Sequence, residues 1–151
     1  MFKVVLGDLL EYDSQYVCHQ ANCVSSGASG IAAAIFAKWP ESNVYACREE
    51  GYRDEPGTIK VRGRVINMFA QYYPGGQNNY SNDNEQKRIE YFQSCLNEIS
   101  KIEGLKSVAF PYLIGCSIAG GDWGKYQAMI ENFAHKMTNV EVTIVRLPEG
   151  D

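Results

Sequence analysis

The sequence lacks a long apolar run, a basic cluster and a signal-peptide layout. No apolar stretch approaches the roughly 20 residues of a membrane-spanning helix, and the opening MFKVVLGD resembles a first strand rather than a leader. The formal net charge is −4 and no basic cluster exceeds two adjacent residues, so broad electrostatic binding to nucleic acid is not expected. An anionic ligand would have to be held by backbone N–H groups and helix ends.

The sequence also lacks a paired-cysteine motif. Its five cysteines are scattered, odd in number and without a CxxC spacing: Cys18, Cys23, Cys47, Cys95 and Cys116. This pattern favours free thiols in a reducing cytoplasm. Cys18 and His19 with Cys23 have no fourth ligand at a useful spacing, so neither a metal site nor a cofactor is expected.

The length and composition indicate an ordinary globular protein. The chain has 151 residues, of which 45% are hydrophobic and 21% charged. Both values are typical of a soluble fold with one core. We therefore expect residues 1–151 to form one domain.

One stretch combines a strand, a glycine loop and a helix. Ser107–Pro111 is short and apolar, and the small-residue loop Ile114–Gly121 follows it. Asp122 and Trp123 then begin a helical pattern, with apolar residues at Tyr126, Ile130, Phe133 and Met137. This arrangement can direct backbone N–H groups at a phosphate. Glycine is also the usual residue of a tight turn, so this stretch alone leaves both interpretations open.

A second stretch repeats that arrangement. The predicted strand Tyr16–Asn22 leads into the small-residue loop Val24–Gly30 and then into a helical pattern over Ile31–Trp39, with Ser29 as a plausible N-cap. Two such units in one small domain predict a ligand with a diphosphate, or a phosphate and a sugar, held from two sides.

The remaining elements complete an alternating pattern. Strands are predicted at Lys3–Leu6, at Thr58–Val61 and Val65–Phe69 as a hairpin, and at Glu141–Leu147, and a helix at Glu85–Lys101. The resulting order, β β α β β α β α β, predicts an α/β fold with a mainly parallel or mixed sheet and helices on both faces.

Two polar features admit more than one interpretation. Asp8 follows the first strand and could accept a hydrogen bond from an adenine amino group, or it could cap a turn. The long loop over 71–84 carries Tyr72, Tyr73 and Tyr80, which could stack on a base or sugar or pack at the edge of the fold.

Five motifs together resemble one family. GDLL at 7–10, HQAN at 19–22, SGASGIA at 26–32, AFP at 109–111 and IGCSIAGGDW at 114–123 are similar to the macrodomains. The resemblance covers nearly the whole chain and implies a three-layer α/β/α fold with a central mixed sheet that binds ADP-ribose. The nearest branch holds the ADP-ribose-1″-phosphate phosphatases and the terminal ADP-ribose glycohydrolase.

The resemblance implies a set of ligand-binding residues. Asp8, with Leu9 beside it, would contact the adenine, and Asn22 would hold the distal ribose. The first diphosphate loop would comprise Ala28, Ser29, Gly30, Ile31 and Ala32. The second would comprise Gly115, Cys116, Ser117, Ile118, Ala119 and Gly120.

The resemblance also implies catalytic residues. His19 and Asp122 match the phosphatase-like members, in which a histidine and an aspartate near the distal ribose are implicated. From the residues alone, His19 could equally be a buried structural histidine, and Asp122 a helix N-cap. The lysine mechanism of the glycohydrolase is absent, because Val65–Gln71 contains no lysine and Ala119 stands at its aspartate position.

Two classes of function therefore remain open. The first is a hydrolase that converts ADP-ribose-1″-phosphate to ADP-ribose and phosphate, or that removes another group from the distal ribose. The second is a module that binds ADP-ribose without turnover. The expected partners are ADP-ribose or ADP-ribose-1″-phosphate and, for either class, an ADP-ribosylated protein. Neither a nucleic-acid groove nor a membrane is expected.

Overall fold

A six-stranded mixed sheet forms the centre of the computed structural model, which describes residues 1–46 and 48–148. The strands are β1 Phe2–Leu6, β2 Tyr16–Asn22, β3 Ile59–Arg62, β4 Val65–Gln71, β5 Ser107–Pro111 and β6 Glu141–Arg146. Their order in the sheet is β1-β6-β5-β2-β4-β3. Neighbouring strands are parallel except in the antiparallel β3–β4 hairpin. The predicted order of elements is confirmed, while Cys47 and residues 149–151 lie outside the described residues.

Helices cover both faces of the sheet. They are α1 Gly30–Lys38, α2 Glu85–Ile99 and α3 Trp123–Lys136, with short 3₁₀ helices at Leu9–Glu11 and Pro40–Ser42. Helix α1 buries Ile35 and Phe36 in one core cluster. Helices α2 and α3 bury Phe92 and Ile130 in another. This is the predicted three-layer α/β/α architecture.

Element boundaries differ from the predicted ones by one or two residues. Helix α2 ends at Ile99 with Ser100 as its C-cap, and Gly104 lies in the following turn with φ +76°. Strand β4 continues to Gln71 rather than stopping at Phe69. Such shifts are common because helix ends fray and strand ends depend on the partner strand.

The carboxyl ends of five strands meet at one edge of the sheet. Strands β1, β6, β5, β2 and β4 run in the same direction, so the segments that follow them lie side by side. The β2–β4 register shifts between Ala21 and Asn22, so that Asn22 pairs with Gln71 and Ala70 is the extra residue. This bulge brings Gln71 beside Asn22 at the edge where ligands bind in open α/β sheets.

No described helix is long and apolar enough to cross a lipid bilayer.

Candidate functional site

A cleft of about 890 Å³ lies at the carboxyl edge of the sheet. It is lined by the segments that follow β1, β2, β4, β5 and β6. Asp8 and Arg146 stand toward the β1 and β6 end, and Gln71 stands at the β4 end. The volume falls within the roughly 300–1,000 Å³ typical of small-molecule sites.

The glycine loop after β5 presents unpaired backbone donors to the cleft. The N–H groups of 117–120 donate to no acceptor among the described residues. Gly115 and Gly120 have φ of +77° and +76°, a conformation that favours glycine. A Cβ on Gly115 would also lie 2.6 Å from Tyr126 Cε2. The loop therefore requires glycine at position 115, and its free donors suit an anion.

The glycine loop after β2 presents a similar set of donors. Asn22 Oδ1 accepts hydrogen bonds from the N–H groups of Val24 (3.0 Å) and Ser25 (2.8 Å) and so shapes the start of the loop. The N–H groups of 26–31 have no acceptor among the described residues. Ser29 occupies the predicted N-cap position of α1, but its hydroxyl makes no capping bond. The first N–H groups of α1 are therefore unpaired within the described chain.

The two loops approach each other across the cleft. A Cβ on Gly30 would lie 3.1 Å from Cδ1 of Ile118. A phosphate group between the loops could thus accept from both, as the sequence predicts.

Asp8 caps a turn and also lines the cleft. Its Oδ1 accepts from the Leu10 N–H at 2.9 Å and caps the 3₁₀ helix, while the residue also lines the cleft. Its second carboxylate oxygen has no donor within the described part of the chain. Leu9, beside it, is buried and also lines the cleft.

A buried arginine, which sequence reasoning missed, holds the first loop from behind. Arg48 donates to the carbonyls of Ser25 at 2.8 Å and Asn22 at 2.7 Å. It pairs with Asp54 at 2.6 Å, and Lys60 meets the same carboxylate at 2.7 Å. Burial would raise the pKa of Asp54, but these two cations outweigh burial and hold the pKa below its usual value.

A second buried arginine holds the other loop. Arg88 pairs with Asp83 at 2.8 Å and donates to the carbonyls of Gly75 (2.9 Å), Gly76 (3.1 Å) and Ala119 (3.5 Å). The signal for it was present in the sequence, because Arg88 lies four residues before Phe92 on the apolar face of α2. The pair ties the segment after β4 to the glycine loop after β5.

Asp83 completes this connection. Its carboxylate accepts from the N–H groups of Tyr72 at 2.7 Å and Tyr73 at 3.1 Å. Burial raises the pKa of Asp83, but the hydrogen bonds from Arg88 and these two backbone groups outweigh it and keep the pKa below its usual value. Tyr73 packs edge-to-face on both Tyr72 and Tyr80, and none of the three lines the cleft.

His19 faces away from the cleft, into the core beneath α1. Its ring is fully buried and packs edge-on against Phe36, with ring centroids 5.3 Å apart. Its Nε2 lies 2.6 Å from Asn67 Oδ1, and Asn67 Nδ2 donates to the carbonyls of Ser42 and Lys60, each at 3.2 Å. Those two bonds fix the orientation of the Asn67 amide, so its Oδ1 must accept from the histidine. Nε2 of His19 therefore carries the proton, and Nδ1 of His19 is a buried acceptor without a partner.

Asp122 is the N-cap of α3. Its Oδ1 accepts from the Gly124 N–H at 3.0 Å. Neither Asp122 nor His19 is among the cleft-lining residues of the described chain. Their catalytic role stays a prediction. Cys116 does line the cleft, but burial raises the pKa of its thiol to about 12, with a smaller contribution from Asp122.

The environment of His19 predicts a dependence of stability on pH. Burial lowers the pKa of His19 to about 4, and the hydrogen bond with Asn67 offsets only part of this. Between pH 6.5 and 4 the unfolded chain then binds a proton that the folded chain does not. The free energy of unfolding should therefore fall by about 1.4 kcal/mol per pH unit as the pH decreases through that window. Urea titrations at several pH values would measure it.

Two variants separate this effect from general acid sensitivity. His19→Gln keeps a neutral donor toward Asn67 and should remove the slope, whereas His135→Gln, at an exposed position, should keep it. An equal slope in wild type and His19→Gln would contradict the assignment.

Comparisons with known proteins identify the fold. No protein-family model matches the chain, and the comparison with curated proteins found no match. Solved structures do match, and macrodomains are among them. This chain has the macrodomain α/β/α fold, as its sequence motifs predict.

Three of the matching structures illustrate the likeness. The macrodomain of Mycobacterium tuberculosis DarG is 20% identical, with a TM-score of 0.74 over 99% of each chain. The macrodomain of Thermus aquaticus DarG is 22% identical, with a TM-score of 0.72 over 96% of this chain and 97% of that one. A variant of the Oceanobacillus iheyensis macrodomain, solved with ADPR, is 17% identical, with a TM-score of 0.67 over 97% of this chain and 84% of that one.

Proposed function

We propose that this chain binds ADP-ribose in the cleft. The observation that carries the proposal is the pair of facing glycine loops, whose N–H groups at 26–31 and 117–120 have no acceptor among the described residues. Two sets of free backbone donors across one cleft suit a diphosphate, since each phosphate can accept from a different loop.

The other cleft residues give the ligand an orientation. Asp8 at the β1 end would accept from the adenine amino group, because a carboxylate oxygen there is available. Asn22, next to the first loop, would meet the distal ribose through Nδ2, which has no acceptor within the described chain. The structure solved with ADPR has the same fold, which supports this ligand.

Replacing Asp8 tests both the ligand and its orientation. Isothermal titration calorimetry should detect ADP-ribose binding by the wild type. Asp8→Ala should weaken it by about 1–3 kcal/mol, the usual effect of losing a charge-assisted hydrogen bond. Asp13→Ala, at an exposed position in the same segment, is the matched control and should bind like the wild type. No binding of ADP-ribose by the wild type would refute the proposal.

Hydrolysis of ADP-ribose-1″-phosphate is the finer hypothesis, supported by the motifs at 19–22 and 120–123. The geometry supports binding more directly than hydrolysis, because the acid–base candidates His19 and Asp122 do not line the cleft. A phosphate-release assay separates the two functions. Release that is lost in both His19→Ala and Asp122→Ala would establish the hydrolase, whereas tight binding without release would establish a reader of ADP-ribose. In the reader, the partner would be an ADP-ribosylated protein.

A further inference from the structure

The end of the cleft next to β4 contains only neutral side chains. We define the β4 end of the cleft by the lining residues Gln20, Asn22, Tyr45, Gln71, Pro74 and Gly75. The charged residues that line the cleft, within the described chain, are Asp8, which follows β1, and Arg146, the last residue of β6, both on the far side of the sheet. A ligand group at the β4 end therefore meets dipoles rather than charges.

The hydrogen bonds of this end fix the orientation of two side-chain amides. Gln71 Nε2 donates to the carbonyls of Tyr73 at 2.8 Å and Gly75 at 3.3 Å. Gln71 Oε1 must then face Gln20, and Gln20 Nε2 donates to it at 2.8 Å. The remaining atom, Gln20 Oε1, is a buried acceptor with no donor, next to Gly115. An acceptor held there disfavours a neighbouring phosphate, whose oxygens are acceptors too.

An internal carboxylate already uses the backbone donors beside Gln71. The N–H groups of Tyr72 and Tyr73, the first two residues after β4, both donate to Asp83. The N–H groups of the two glycine loops are unpaired and would hold the diphosphate in the proposed complex. The N–H groups of Tyr72 and Tyr73 are instead occupied by the carboxylate of Asp83.

The nearby cations are occupied as well. Arg88 pairs with Asp83, and Arg48 and Lys60 both pair with Asp54. None of these cations lines the cleft. A phosphate dianion at the β4 end would lose its hydration without a free cation there to compensate its charge.

We infer that the Gln20–Gln71 amide pair, with the Tyr72 and Tyr73 N–H groups behind it already occupied, makes the β4 end selective. It would favour a neutral hydrogen-bonding substituent on the distal sugar over a phosphate at that position. Hydroxyl, ester and amide substituents share that chemistry. The inference rests on the proposed binding of ADP-ribose and argues against ADP-ribose-1″-phosphate as the substrate.

Competing ligands and one charge substitution test it. Calorimetry with the wild type should give a Kd for ADP-ribose-1″-phosphate about 10-fold or more above that for ADP-ribose. Gln20→Lys places an ammonium at the β4 end that can still donate to Gln71 Oε1. This variant should lower the ratio of the two Kd values, ADP-ribose-1″-phosphate over ADP-ribose, to about 1 or less, because the ammonium pairs with the phosphate. Gln20→Met has a similar length without charge, and it leaves Gln71 Oε1 without its donor. Because an unpaired acceptor and no cation remain at the β4 end, the ratio should stay at about 10 or more. Melting temperatures establish that each variant is folded, and phosphate release is measured in the same samples.

The outcomes distinguish this inference from the proposed function. Equal or tighter binding of the phosphate by the wild type, its turnover, or an unchanged ratio in folded Gln20→Lys would overturn the selectivity and leave ADP-ribose binding intact. If neither ligand binds, the proposed function fails and the inference fails with it.

Discussion

Ser117→Glu should abolish ADP-ribose binding while leaving the protein folded. Ser117 is exposed, lines the cleft and belongs to the loop whose N–H groups are unpaired. A carboxylate there would lie close to the diphosphate and would itself compete for the backbone donors. At a separation of about 4 Å and an effective dielectric constant near 20, like charges repel by about 4 kcal/mol, so a loss on the order of 100-fold or more is expected. Calorimetry would measure the loss.

Ser117→Gln is the matched control for that experiment. It adds a side chain of the same size without charge, and we expect its Kd to stay within about 10-fold of the wild type. Ser117 is a better position than Gly120, because the φ of +76° at Gly120 would add backbone strain to any substitution. Unchanged affinity in folded Ser117→Glu would show that the phosphates bind elsewhere.

Arg88→Met should lower the free energy of unfolding by about 3–5 kcal/mol. Removing one member of a buried ion pair leaves the other charge uncompensated, which costs about that much. Asp83 has a fully buried side chain, and Arg88 is 1% exposed. The loss is large beside the roughly 5–15 kcal/mol of a typical domain. Urea denaturation followed by circular dichroism would measure it.

Two further variants identify the cause. Lys87→Met removes an exposed cation one residue away, which pairs with Glu90 at 3.5 Å, and should change stability by less than about 0.5 kcal/mol. Arg88→Met combined with Asp83→Asn should be less destabilised than the sum of the single variants, because no unpaired charge remains. Strict additivity in the double variant would argue against the ion pair as the cause.

The fold could be predicted from local patterns because each element has a clear signal. β4 is buried along its whole length, as expected for a continuous apolar run in a central strand. Asp122 and the apolar spacing after it place α3 within a residue. The glycine loops follow the same logic, since a positive φ at Gly115 and Gly120 explains why glycine stands there.

The arrangement of side chains in the site was harder to predict, since it depends on which face of a strand looks into the cleft. Successive residues of β2 point to opposite faces, so His19 enters the core beneath α1 while Gln20 and Asn22 line the cleft. The motif resemblance assigns a role to His19 but does not take into account which face of β2 its side chain lies on. The partners of Arg48 and Arg88 were also out of reach, because both hold carbonyls in loops that only the tertiary fold brings near.

The glycine loops have a consequence for how far such sequences can diverge. Their donors are backbone N–H groups at 26–31 and 117–120, which any residue except proline supplies. The side chains of the loops then need only be small enough and uncharged enough to leave the backbone accessible. Under this arrangement the ligand would require few particular residue types in these loops. Under the proposed binding of ADP-ribose, recognition through the main chain would be compatible with the 17–22% identity between this chain and macrodomain structures of the same fold.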